Sequence, residues 1–256
     1  LWQAHTRTLF FAPDLEVANA YTTFFRVTSV FKDPSLYGRY LVAAIAVLLV
    51  ALWLRQARAL VVLPLTAVLF AGLHFSYSQS SFVALFAVVL AIALALGGPK
   101  LRTTLAAGVA VAVVAAGAVT AASIADEGAR TATSGRSRLV SVTLDTFKAH
   151  PLAGVGIGGQ PRASVQVSGT GTVKRNASHT APLTVAAELG IGGIAVYLWL
   201  LVAAALALIR VTLLDRGLGL ALSAIGLMLL VHSLFYAGFF EDPLTWGVLA
   251  VSAAVL

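Results

Sequence analysis

One polar stretch near the middle of this chain gathers far more cations than anions. Between residues 123 and 182 stand Arg130, Arg136, Arg138, Lys148, Arg162, Lys174 and Arg175, against Asp126, Glu127 and Asp145. Side chains of one sign repel when crowded, so an excess of this kind is a means of holding an anion. The same stretch carries HPLAGVGIGGQ (His150–Gln160) and ends close to His179. A glycine cluster of that form fits three chemistries: a dinucleotide fingerprint, a nest of backbone N–H groups around phosphate, or a bend. The first needs a strand before it and a helix after it. Here Leu139, Val142, Leu144 and Phe147 recur near helical spacing in the preceding segment, and Pro161 follows almost at once. The leading reading is a helix stopped at Pro151, with glycines permitting a tight bend. A phosphate nest stands beside it. His179 is either an ordinary loop imidazole or a general base for a hydroxyl.

The elements that must position these residues are membrane helices. Hydrophobic residues make up 59% of the 256 and charged residues 11%, where a soluble domain carries about 25% charged. Mean hydropathy is +0.94. Long Ala/Leu/Val runs without a polar face predict an all-α integral membrane protein. Expected spans are Gly38–Leu54, Leu60–Phe75, Ser81–Leu96, Thr104–Ala122, Leu183–Ile209 and Leu218–Leu234, with another from Leu244. The reading is therefore about seven transmembrane helices in a single membrane domain, residues 1–256, with a long, partly helical extracytoplasmic loop at 123–182. The length of the fifth span suggests tilt or a start outside the hydrocarbon. Because the chain begins at Leu1 and ends inside an apolar run, it reads as a piece of a longer protein. Without cysteine, disulfide and thiolate chemistry are excluded.

Orientation follows from the short connections. Arg55 and Arg58, Lys100 and Arg102, and Arg210 and Arg216 occupy alternate turns, which places those turns in the cytoplasm. The N-terminal segment, Ser76–Ser80, the basic loop and His232–Pro243 then face outward. The basic loop runs against the positive-inside trend, as a loop that binds an anion would.

Four segments in order resemble the O-antigen ligase and O-antigen polymerase superfamily of bacterial membrane glycosyltransferases. They are FRVTSVFKDPSLYGRYL (Phe25–Leu41), SYSQSSFVAL (Ser76–Leu85), SGRSRLVSVTLDTFKAHPLAGVGIG (Ser134–Gly158) and SHTAPLTVAAELGIGGIAVYL (Ser178–Leu198). Gln79 stands where the family has arginine, and Thr180 where it has asparagine. The resemblance implies a metal-independent transfer of a glycan from an undecaprenyl-pyrophosphate carrier to an acceptor hydroxyl at the outer face of the plasma membrane. Partners are then the lipid-linked glycan donor, a glycan or lipid acceptor and the bilayer, with no nucleic acid and no cofactor. Catalytic roles fall to His179 as base and Arg138 on the pyrophosphate. Arg136, Lys174, Arg175, Arg26 and Gln79 are expected to bind substrate. Such a leaving group needs little protonation; it needs compensating charge.

Thr180 is placed to cap the fifth span, with its helix N-terminus favouring an anion. Ser78 and Ser80 read as caps. Glu188, inside the fifth span, is expected to have a buried structural partner, since intramembrane carboxylates are costly. The rival function is a transporter or flippase of lipid-linked glycan. That class predicts ionisable groups near the bilayer midplane and broken helices in symmetric halves.

Overall fold

The computed structural model describes residues 2–20, 24–110, 136–173, 176–236 and 238–256. The regular elements among the described residues are all helices, with no strand. Two short helices, α1 (Trp2–Thr6) and α2 (Pro13–Ala20), precede the first span. Then come α3 (Pro34–Trp53), α4 (Ala59–Ser76) and α5 (Gln79–Leu96). Residues 99–110 are helical (α6); the rest of the expected fourth span, to Ala122, lies outside the described residues. The remaining elements are α7 (Arg136–Ala149), α8 (Gln160–Ser168), α9 (Ala181–Leu214), α10 (Arg216–Ser233) and α11 (Pro243–Val255). Among the described residues, α3, α4, α5, α9 and α10 are long and apolar enough to cross a membrane, and α11 is a shorter apolar helix. This is an all-α integral membrane protein.

The chain forms two compact units. The first comprises residues 1–97, 206–232 and 242–256. Its spans begin where the local chemistry dictates. Asp33 caps α3 by accepting from Ser35 N and Leu36 N, with Pro34 in the first turn. Ser78 caps α5 through Ser81 N, and Asp242 caps α11 through Leu244 N, ahead of Pro243. Each cap supplies an acceptor to an amide that the helix cannot satisfy itself. Small residues bring α3, α4 and α5 together. A Cβ on Gly38 would meet Ser81 Oγ at 2.5 Å, and one on Gly72 would meet the Tyr37 hydroxyl at 2.6 Å. Val42, Ala46, Val62, Leu73, Ala84, Val88 and Met228 fill the interior at 1% exposure or less. Leu60, Val61 and Val68 of α4 are well exposed, as side chains facing lipid must be.

Connectivity puts the start of α3, the end of α4 and the start of α5 at one end. The end of α10 joins them, since His232 hydrogen-bonds Ser80. Arg55, Arg58 and Arg216 flank the turns at the other end, where Gly217 lies against the Gln56 side chain.

The second unit comprises residues 98–205 and 233–241. Its α7 and α8 pack through Thr146 and Ser164, whose hydroxyls are 3.1 Å apart. The end of the unit is an aromatic cluster: Tyr197 meets Phe239 and Phe240 edge-on. Its central feature is a break in α9 at Gly190, with φ 65 and ψ −158. That conformation is open only to glycine, and it divides α9 into Ala181–Leu189 and Ile191–Leu214.

Candidate functional site

The helix break explains the glycine cluster. Interrupting α9 at Gly190 strands the carbonyls of Ala187 and Glu188 and the amide of Ile191. The 151–156 loop supplies all three partners: Val155 N donates to Ala187 O and Gly156 N to Glu188 O, each at 2.9 Å, and Pro151 O accepts from Ile191 N at 2.8 Å. Such close approach requires glycine on both sides. A Cβ on Gly154 would sit 2.2 Å from Glu188 C, and one on Gly190 would sit 2.3 Å from Leu152 O. The bend expected from the sequence is therefore one half of an interlock, and the other half is LGIGG (Leu189–Gly193). The amides of Gly154, Val155, Gly156 and Gly159 all donate to protein carbonyls, so they are not available as a phosphate nest.

Immediately beyond this loop lies Gln160, 1% exposed. Its Nε2 donates to Thr143 Oγ1 at 3.1 Å, Ser164 Oγ at 2.8 Å and Asn176 O at 3.0 Å. Its Oε1 accepts from Ser178 N at 3.0 Å. One buried amide thus ties α7 and α8 to the segment that delivers His179. Ser178 then turns the chain into α9: its Oγ accepts from Thr180 N, while the Thr180 carbonyl accepts from Thr184 N. The Thr180 hydroxyl donates to Leu234 O. His179 itself is exposed just ahead of the α9 N-terminus.

Arg138, half-buried near the start of α7, reaches the same segment from the other side. Its Nη2 donates to Thr170 Oγ1 at 3.0 Å, Thr170 O at 3.4 Å and Asn176 Oδ1 at 3.5 Å. All three acceptors are neutral. Among the described residues no carboxylate lies within ion-pair distance of this guanidinium, so these neutral partners orient its charge without cancelling it. Asn176, 1% exposed, holds the loop closed through Thr170 O and Thr172 O. The structure therefore joins the two expected catalytic residues in one hydrogen-bonded chain: Arg138, Asn176, Gln160, Ser178, then His179. Arg136 is the first residue of α7. Its side chain, together with Lys174 and Arg175, lies outside the described residues.

Glu188 finds a buried partner on another helix, and that partner is a backbone amide. It is half-buried, and its Oε1 accepts from Gln160 N at 3.4 Å, at the first turn of α8. A carboxylate is favoured there by the helix N-terminus.

The first unit holds the other two expected residues at one turn. Arg26 Nε donates to Ser76 O at 3.3 Å, and Val27 N donates to Phe75 O at 2.9 Å, so the Arg26 segment is laced to the end of α4. Gln79, exposed, opens α5 three residues later, between buried Ser78 and Ser80. Under it runs a buried polar chain that composition does not reveal. Asp242 Oδ1 caps α11 while Oδ2 pairs with Arg39 Nη1. Arg39 Nη2 donates to His232 Nδ1 at 3.1 Å, and His232 Nε2 faces Ser80 Oγ at 3.1 Å and Ser81 Oγ at 3.3 Å. The residue types match a serine–histidine–aspartate triad, but the order does not. A guanidinium can only donate, so Nδ1 is the bare nitrogen and Nε2 carries the hydrogen. That imidazole cannot take a serine's proton. Ser80, expected as a cap, serves this chain, and Ser78 alone caps α5.

The fold and these two sites define an all-helical membrane protein with a polar, cation-bearing segment at the mouth of a broken span. The profile of the O-antigen ligase family matches residues 64–198, more than half of the chain. The chain belongs to that family, and so is a membrane glycosyltransferase of the O-antigen ligase or polymerase type. The match covers Gln79, Arg138, the glycine interlock and His179. No curated protein matches the chain.

Proposed function

We propose that this protein transfers a glycan from an undecaprenyl-pyrophosphate carrier to an acceptor hydroxyl at the outer face of the plasma membrane. Support comes chiefly from the hydrogen-bonded chain that fixes Arg138, which meets only neutral acceptors among the described residues, to the segment presenting His179. His179 removes the proton of the acceptor hydroxyl. The acceptor oxygen then bonds the anomeric carbon of the donor sugar. The bond from that carbon to the pyrophosphate oxygen breaks, and its electron pair leaves with the phosphate. Arg138 neutralises the charge that develops there, assisted by Arg136, Lys174 and Arg175 on the same basic loop. Guanidinium groups perform the task that a metal cation performs in other phosphate chemistry. Arg26 and Gln79 are further substrate-binding residues; Gln79 offers hydrogen bonds but no charge.

The test uses the full-length protein in detergent, with a polyprenyl-pyrophosphate glycan donor and acceptor. Wild type releases polyprenyl pyrophosphate as the glycan is transferred. His179→Ala lowers kcat by about 10²–10⁴-fold, the contribution of a positioned base. Arg138→Ala lowers it by about 10²–10³-fold, the effect of removing one preorganised electrostatic donor. Unchanged turnover in folded His179→Ala removes the base assignment. Movement of intact lipid-linked glycan across a vesicle membrane without release replaces the whole reading with a flippase.

A further inference from the structure

The glycine interlock has an outward face as well as an inward one. Leu152 is 79% exposed and Ile157 86% exposed, the second being among the most exposed large apolar side chains of the described chain. Both stand on a loop that is pinned in place: the amides of Gly154, Val155, Gly156 and Gly159 donate to carbonyls. A pinned loop that presents bare aliphatic side chains is suited to the edge of an apolar medium.

The position of the break says which medium. From Ile191 to Ile209, just before Arg210, α9 rises about 28 Å at 1.5 Å per residue, close to the roughly 30 Å of a bilayer's hydrocarbon. Starting the crossing at Ala181 instead would bury Glu188 and stretch the apolar path well past that thickness. The break at Gly190 therefore marks the outer edge of the hydrocarbon, and the loop tied to it lies at the same level. On α9 beyond the break, Ile191, Val196 and Trp199 are likewise exposed, at 54%, 64% and 69%.

We propose that the 151–158 loop is a membrane anchor: Leu152 and Ile157 insert among the lipids at the edge of the hydrocarbon and hold the basic loop at a fixed height above it. The occupant of this apolar face is the bilayer, not another protein.

These 256 residues hold no cysteine, so once any cysteine elsewhere in the full-length protein is replaced by serine, single cysteines carry a spin label without background. Leu152→Cys, Ile157→Cys and, as an aqueous control, Val173→Cys are introduced into the full-length protein, labelled and reconstituted in nanodiscs. Collision rates with oxygen, which concentrates in lipid, and with a water-soluble nickel chelate are then compared. The expected result is high oxygen and low nickel accessibility at residues 152 and 157, with the reverse at 173. Nickel accessibility at 152 and 157 equal to that at 173 overturns the proposal, because the loop is then in water. Low accessibility to both reagents overturns it too, because a protein surface then covers the loop. Neither outcome depends on transfer activity.

Discussion

At the scale of single residues, the two units use buried polar groups in opposite ways. Arg39, Asp242 and His232 are 3% exposed or less and largely satisfy one another. Breaking such a pair leaves a bare charge in a dry interior, which costs about 3–5 kcal/mol, whereas removing both charges is often near neutral. Arg39→Met should lower thermal stability in detergent by that amount. Combining it with Asp242→Asn, which keeps the cap on Leu244 N, should restore most of the loss. Equal destabilisation in the single and double variants would show that packing, not charge, dominates. Gln160 differs because its partners lead to the proposed chemistry. Gln160→Ala leaves Ser178 N and Asn176 O without their partner, at about 1–3 kcal/mol for each buried group. Misplacement by an ångström is worth up to about 100-fold in rate, so kcat should fall on that order while KM for the donor changes little. A variant that unfolds more readily yet turns over normally would remove the positioning role. Arg138 and His179 are legible in the sequence, as residues in matched motifs. Gln160 and Asn176 are not: a glutamine after glycines and an asparagine in a polar loop look like solvated surface until three other segments close over them.

Elements are legible where their ends carry local signals. Asp33-Pro34 and Asp242-Pro243 pair a capping carboxylate with a proline in the first turn, and the long apolar runs between them define α3, α4, α5 and α10 to within a few residues. The break in α9 is not legible in this way. Glycine is tolerated inside transmembrane helices, and whether Gly190 kinks depends on a loop some 35 residues earlier in the chain. Only the excess length of the fifth span hints at it. The interlock also makes a specific prediction. Gly190→Ala introduces a φ that costs about 1–3 kcal/mol for any other residue, and its Cβ would collide with Leu152 O. Gly192→Ala, with open space around it, is the control. Transfer activity should fall sharply for the first and stay near wild type for the second. Equal activity in both would mean that the interlock does not matter to the site.

For the whole molecule, composition decides the class and little else. A chain with 59% hydrophobic residues must span membranes, but nothing in that figure separates a transferase from a carrier. The distinction rests on where polar groups sit. In the second unit they collect on the segment ahead of α9 and at its break. In the first they form a chain at one end of the helices. Neither arrangement comes from charge totals; both come from helices whose ends converge.

The break at Gly190 has one more consequence. A helix interrupted at a fixed residue cannot lengthen its apolar stretch, so the protein is matched to one acyl-chain length. In bilayers of longer lipids the headgroup level rises past Leu189 toward Glu188, a mismatch that must be relieved by thinning the lipid or by moving the carboxylate. Transfer measured across a series of phosphatidylcholines should therefore peak at an intermediate chain length. In Gly190→Ala that maximum should flatten, because the straightened span no longer carries a ruler.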